Sequence, residues 1–209
     1  MITQLLHQIV GPKTNPLIDQ CLSSWKVIKD YGFEIRTWND DTLEEFIDTH
    51  YSWALQAFRN ARNHAEAADI ARYLLVHQSG GIYMDWDVEL LIPEQFFTLL
   101  ERTPKGFLVI DPANGTLASE AFSAEKNEAY LLDLVTDIVH LYNSNERDNM
   151  GTPQYSGPFR MRDSLVNSCT AQLLLPVKEV FAYDYTEIRE MPDREINQPL
   201  IHYWIHSWI

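Results

Sequence analysis

Two aspartates, Asp85 and Asp87, stand one residue apart in the otherwise apolar run GGIYMDWDVELL (80–91), directly after a glycine pair. Side chains of an extended chain alternate between faces. The pattern therefore predicts Ile82, Met84, Trp86, Val88 and Leu90 on one face of a strand, and Tyr83, Asp85, Asp87 and Glu89 on the other. The first set is a core face and the second an exposed acidic edge. Carboxylates that close repel, and one takes up a proton unless positive charge lies between them. A hard divalent cation, Mn²⁺ or Mg²⁺, resolves the repulsion through oxygen ligands. The alternative for the same residues is a solvated strand face that is simply acidic.

A second pair, Asp69 and Arg72, is spaced to share one face of a helix. As a surface ion pair it would contribute only a few tenths of a kcal/mol, roughly. The helix is narrow, however, with Ala65, Ala67, Ala68 and Ala71, and it turns at Gly80-Gly81 straight into the aspartate run. An acid and an arginine delivered beside two more carboxylates suit a ligand that carries both hydroxyls and phosphates.

The elements that must position these residues follow from periodicity and turn signals. Leu5–Val10 reads as a strand ended by Gly11-Pro12, and Pro16 opens a helix through Trp25 and Lys26. Residues 31–38 alternate as a second strand. Asp41 and Glu44 fit a capping box before a short helix through Ile47, and Ala61–His77 reads as the helix stopped by the glycine pair. Pro93 starts a further helix and Gly106–Ile110 a strand. Asn127 is placed to cap an amphipathic helix with Leu131, Leu134, Val135, Ile138 and Leu141 at core spacing. Asn143–Gly157 has no apolar period and reads as a surface loop, followed by a helix after Pro158 and a strand near Val177–Phe181. Strands alternating with helices predict an α/β sheet in one domain over residues 1–209.

Composition narrows the partners. A formal net charge of −14 without a basic stripe excludes long nucleic acid, although a bridging cation would still let the chain bind a small anion. Cys21 and Cys169 are too few for a disulfide framework and are expected to be reduced core thiols. With neither a secretory pattern nor a transmembrane run, the chain is expected to be soluble and cytoplasmic.

The block ADIARYLLVHQSGGIYMDWDVELL (68–91) closely resembles the signature of glycosyltransferase family 32, the DXD-containing sugar transferases. LLHQIVGP (5–12), CLSSWKVIKDYGFEIRTWND (21–40), YSGPF (155–159) and IHYWIHSW (201–208) are similar to further family segments in the same order. The resemblance implies a GT-A fold and a metal-dependent, retaining transfer of a hexose from a nucleotide-diphosphate sugar to a glycan or other hydroxyl acceptor. A UDP-sugar is expected first and GDP-mannose second, with Mn²⁺ or Mg²⁺ as cofactor. Carried over by position, Asp87 would ligate the metal and Asp85 would contact the ribose and a metal-bound water. Asp69 and Arg72 would hold the sugar hydroxyls, with Tyr83 nearby. His7 and Gln8 would border the nucleoside, His202 would stand on the metal side, and Ser207 and Trp208 would close over the β-phosphate.

Two other readings stay open at this point. The residues DWDVE (85–89) also fit the Asp-x-Asp motif of haloacid-dehalogenase-type phosphatases, in which the first aspartate is a nucleophile. That motif belongs at the end of a first strand, whereas here several elements precede it. A domain that holds a nucleotide sugar without transferring it is the third reading.

Overall fold

Asparagine caps and proline starts set the helices of this chain. Asn15, Asn39 and Asn63 each accept hydrogen bonds from first-turn amides, and Pro16, Pro93 and Pro158 occupy first helical positions. In the computed structural model, which describes residues 2–205, the elements run β1 (Leu5–Ile9), α1 (Pro16–Ser24), β2 (Glu34–Trp38), α2 (Asp40–Tyr51), α3 (Leu55–Arg59), α4 (His64–Ser79), β3 (Gly81–Met84) and β4 (Val88–Leu90). They continue with α5 (Pro93–Arg102), β5 (Gly106–Ile110), β6 (Leu117–Ala124), α6 (Ala129–Asn143), α7 (Thr152–Tyr155), α8 (Pro158–Leu165), β7 (Leu173–Pro176), α9 (Val177–Val180) and β8 (Leu200–His202).

The main sheet has the order β2-β1-β3-β6-β5-β7. Its pairings make every strand parallel except β6, which runs antiparallel between β3 and β5. Alternation sends Tyr83, Leu108 and Phe122 to one face, against α2, α3, α4 and α6. Ile82, Met84, Phe107, Val109 and Ala121 go to the other, with Trp25, Phe96 and Phe181. Both faces are covered, as a mostly parallel sheet requires. At Gly81 the backbone has φ +103°, and a Cβ there would lie 2.3 Å from the Leu5 carbonyl oxygen, so the close β1–β3 pairing depends on glycine.

The sequence expectations hold for the α/β sheet, for β1, β2 and β5, and for the helices starting at Pro16, Pro93 and Pro158. Several differ. The aspartates do not lie in one strand: β3 ends at Met84, a turn closed by Val88 N–H to Asp85 carbonyl follows, and β4 pairs instead with β8 in a separate two-stranded sheet. Ile82, Met84, Val88 and Leu90 still share one core cluster, but Asp85 and Asp87 face an interior cleft rather than an exposed edge, with side chains 23% and 6% exposed. Asn39 and Thr42 form the capping box expected at Asp41 and Glu44, so that helix begins earlier and reaches Tyr51. The alanine-rich helix begins at His64 and ends at Ser79.

Asn127 is not a cap. It sits at φ 64° and its N–H donates to the His77 carbonyl, and the helix begins at Ala129. The expected strand at Val177–Phe181 is the short helix α9, preceded by β7, because Pro176 ends the ladder. Strand β6 was not anticipated, since LASEAFSA lacks the β-branched residues that mark strands. Cys21 is buried as expected, whereas Cys169 is exposed. Among the described residues no helix is long and apolar enough to cross a membrane.

Candidate active site

At the carboxyl end of β3 the chain leaves the sheet beside antiparallel β6, the kind of place where open α/β sheets bind ligands. A cleft of about 240 Å³ opens there. Its floor is Asp69 and Arg72 from α4, Asp85 and Asp87 from the β3–β4 turn, Glu120 from β6 and His202 from β8; Thr152, Pro153, Trp204 and Ile205 form its walls. Two of the floor residues arrive together because α4 runs antiparallel to the strand it feeds through Gly80-Gly81, and Asp69 and Arg72 lie one helical turn apart on the face toward β6.

Arg72 organises the floor. Its Nη1 donates to the Ser119 carbonyl at 2.8 Å and lies 3.3 Å from Asp85 Oδ1, while Nη2 is 3.6 Å from Asp69 Oδ1. The guanidinium also sits 4.8 Å above the Tyr83 ring, and the Tyr83 hydroxyl donates to Asp85 Oδ1 at 2.6 Å. A fully buried arginine is tolerated because carboxylates, a carbonyl and a π-face surround it.

Asp87 and His202 form the second half. His202 Nε2 is 3.3 Å from Asp87 Oδ1, and the Ile205 N–H donates to Asp87 Oδ2 at 2.8 Å. On its other side His202 Nδ1 lies 3.4 Å from Glu120 Oε1, close enough for an ion pair but outside hydrogen-bond geometry, which leaves a buried ring nitrogen unpartnered. Burial disfavours charge on His202, but Asp87 and Glu120 flank it and raise its pKa to about 10. Burial likewise opposes ionisation of Asp87, yet the imidazolium keeps its carboxyl below the usual range. Asp85 is pushed up by burial, with Asp87 adding to the rise and Arg72 and Tyr83 resisting it. The two aspartates thus differ in charge demand as predicted for neighbouring carboxylates.

One ligand atom each from Asp85, Asp87 and His202 lie within 4.8 Å of one another. Two carboxylates and an imidazole are a donor set that fits a divalent cation of the Mn²⁺ kind; a coordinating His202 would give up the proton it holds between Asp87 and Glu120.

Burial raises Asp69 to about 6, against the pull of Arg72 and a hydrogen bond from Ser156. A carboxyl whose folded pKa lies above its unfolded value is least costly below about pH 4, and its penalty grows as pH rises to about 6 and then stays constant. Asp69→Asn mimics the protonated form. It is expected to gain stability relative to the parent between those pH values, by on the order of 3 kcal/mol from a rise of 3.8 to about 6 at roughly 1.4 kcal/mol per unit. Thermal melts of both proteins from about pH 4 to pH 8 check this, and a difference that does not change with pH contradicts it.

The structure thus brings together Asp69, Arg72, Tyr83, Asp85, Asp87 and His202. It does not bring His7 and Gln8 to this cleft. Both are buried in β1; His7 Nε2 pairs with the Gly80 carbonyl, and its Nδ1 accepts from Trp38 Nε1 at 3.2 Å. Burial lowers His7 to about 4, so it is a neutral core histidine. Gln8 Nε2 is buried without a partner. Ser207 and Trp208 lie outside the described residues. Sequence reasoning missed Glu120, Ser156 and Trp204 as parts of the site. Ser156, inside YSGPF, and Trp204, inside IHYWIHSW, lie in segments that carry the resemblance, whereas Glu120 had no signal.

Residues 17–98 match the family described as a glycosyltransferase sugar-binding region containing a DXD motif. An inositol phosphoceramide mannosyltransferase of Schizosaccharomyces pombe is 34% identical over 89 residues, covering 42% of this chain and 24% of that protein. A mannosyl phosphorylinositol ceramide synthase of Saccharomyces cerevisiae is 32% identical over 91 residues, covering 42% of this chain and 23% of that protein. The match to these curated relatives thus spans about a quarter of their length. Among solved structures, the PaToxG glycosyltransferase aligns with a TM-score of 0.57 at 15% identity, over 79% of this chain and 69% of that one, which is a likeness of fold. The fold is the GT-A type, and residues 17–98 are similar to the DXD-containing sugar-binding region of glycosyltransferases.

Proposed function

We propose that this protein transfers a hexose from a nucleotide-diphosphate sugar to a hydroxyl acceptor, a glycan, in a cation-dependent and retaining reaction. The observation that carries the reading is the convergence of Asp85, Asp87 and His202 beside the Arg72–Asp69 pair in one cleft. Asp85, Asp87 and His202 would hold a divalent cation, which when bound supplies Lewis-acid neutralisation of the leaving diphosphate. Arg72 adds fixed positive charge where negative charge grows and keeps both flanking aspartates ionisable and oriented. Asp69 offers an oxygen to the hydroxyls of the transferred sugar.

In the transfer, the bond from the anomeric carbon to the diphosphate oxygen breaks as the acceptor oxygen bonds to the same carbon. The acceptor proton passes to the departing phosphate. No carboxylate of the cleft has to become a covalent nucleophile, and Asp69 is the nearest candidate if one does. The phosphatase reading is not supported by the fold: the aspartate turn follows the third strand of the sheet, after α4 and a glycine pair.

The names of the curated relatives favour a mannosyl donor, so GDP-mannose joins UDP-glucose as a first choice. Donor hydrolysis without acceptor, followed with Mn²⁺ and with chelator, tests the reading. Slow hydrolysis of one donor that chelation stops is the expected result. A folded protein that binds a donor but never cleaves it, alone or with glycan acceptors, would be a binding module instead.

A further inference from the structure

We infer that Ser156 is a positioning residue for Asp69: it takes one carboxylate oxygen, Oδ2, and leaves Oδ1 turned to Arg72 and the cleft. The inference rests on the transfer reading for its functional meaning, but its geometry stands independently. Ser156 is wholly buried, and its Oγ donates to Asp69 Oδ2 at 2.7 Å. Its backbone is pinned as well. The Ser156 carbonyl accepts from the Tyr73 hydroxyl at 2.9 Å, and its N–H donates to the Thr152 carbonyl at 3.0 Å. Asp69 and Tyr73 are a helical turn apart on α4, so the serine is clipped at two points to the helix that carries the carboxylate.

The segment bearing Ser156 is fixed in turn by polar ties to the start of α4. Arg62 Nη1 donates to the Met150 carbonyl at 2.9 Å, and Asn63 Nδ2 donates to Thr152 Oγ1 at 2.9 Å. Thr152 Oγ1 in turn donates a hydrogen bond to Glu66 Oε1 at 3.2 Å. These contacts turn what reads as a surface loop into a wall of the cleft. At Gly157 an added Cβ would stand 3.4 Å from Asp69 Oδ2, so the backbone itself approaches the carboxylate.

A serine hydroxyl has one proton and two lone pairs. While Asp69 is a carboxylate, the proton goes to Oδ2. When Asp69 is protonated, Ser156 Oγ can accept from it and turn its own proton toward the Thr152 carbonyl at 3.4 Å. The hydroxyl therefore satisfies Asp69 in either state, whereas an alanine leaves a buried carboxylate without its donor. The charged and titratable groups that face Asp69 are Arg72, Tyr73 and Glu66 from its own helix, Tyr83 from β3 and Asp85 from the β3–β4 turn.

The test compares Ser156→Ala, Ser156→Thr, Asp69→Asn and the Ser156→Ala/Asp69→Asn double variant. One readout is Mn²⁺-dependent hydrolysis of UDP-glucose and GDP-mannose; the other is the melting midpoint from about pH 4 to pH 8. Ser156→Ala is expected to lower kcat/KM for the donor about tenfold or more, as outer residues that orient a ligand-contacting group do. Ser156→Thr restores most of that loss. The melting loss caused by Ser156→Ala grows as pH rises through the ionisation of Asp69, and in the Asp69→Asn background it is the same at every pH. A loss independent of pH with Asp69 intact would overturn the inference and make Ser156 a packing residue. If the parent chain hydrolyses neither donor, the transfer reading fails, and the melting comparison still decides the case for Ser156.

Discussion

Asp87→Asn is expected to remove cation-dependent donor turnover, by two orders of magnitude or more, in a protein that still melts cooperatively. The substitution keeps the shape of the side chain but deletes the carboxylate that faces both His202 and the Ile205 N–H. The fold survives because its other ties at this point are backbone bonds: Tyr203 N–H to the Asp87 carbonyl, and the β4–β8 pairing of Val88 with His202. Without Asp87, His202 loses the first of the two acids that keep it protonated, and the metal-side donor set is reduced to Asp85 and a histidine. Turnover with Mn²⁺ and with chelator, beside a thermal melt, checks the outcome. Parent-like turnover with an unchanged response to metal would contradict the placement of Asp87.

Arg72→Met should cost both stability and activity. It leaves Asp69, Asp85 and the Ser119 carbonyl without their common partner in a buried site, and breaking a buried ion pair by deleting one member costs about 3–5 kcal/mol. Turnover should fall by at least about a hundredfold, since the fixed positive charge proposed to face the leaving diphosphate is gone. Because that variant could be lost to misfolding, Arg72→Lys is the informative companion. Lysine keeps the charge but cannot serve Ser119, Asp85 and Asp69 together or lie flat over Tyr83, so a folded protein with turnover reduced roughly tenfold or more is expected. A lysine variant with parent-like turnover would show that only the charge matters.

Much of the chemistry was legible in the sequence because it is local. The three-residue spacing of Asp69 and Arg72 survives any error in helix ends, and the Gly80-Gly81 turn ties that helix to the aspartates wherever the strand stops. The strand itself was misread past Met84. Alternation placed Ile82, Met84, Val88 and Leu90 in one core cluster correctly, but periodicity cannot reveal a turn inside a pattern that resumes in register after it. Glu120 was invisible because it lies in β6, where alanine and serine hide a central strand whose burial comes from neighbours. Its contact with His202 joins residues far apart in the chain, and only the sheet order brings them together. His7 was ambiguous in the sequence. A polar residue in an apolar strand fits a core histidine as well as the nucleoside contact that the resemblance implies, and in the fold Trp38 and the Gly80 carbonyl satisfy it.

The direct test of the proposed cation-assisted nucleotide-sugar site is calorimetric titration of this chain with UDP and with GDP, each with and without Mn²⁺. Manganese-dependent binding of one nucleotide, weakened in Asp87→Asn, is the predicted result, and it also identifies the base of the donor. Binding of neither nucleotide by a protein shown to be folded, or binding indifferent to Mn²⁺ and to Asp87, would contradict it.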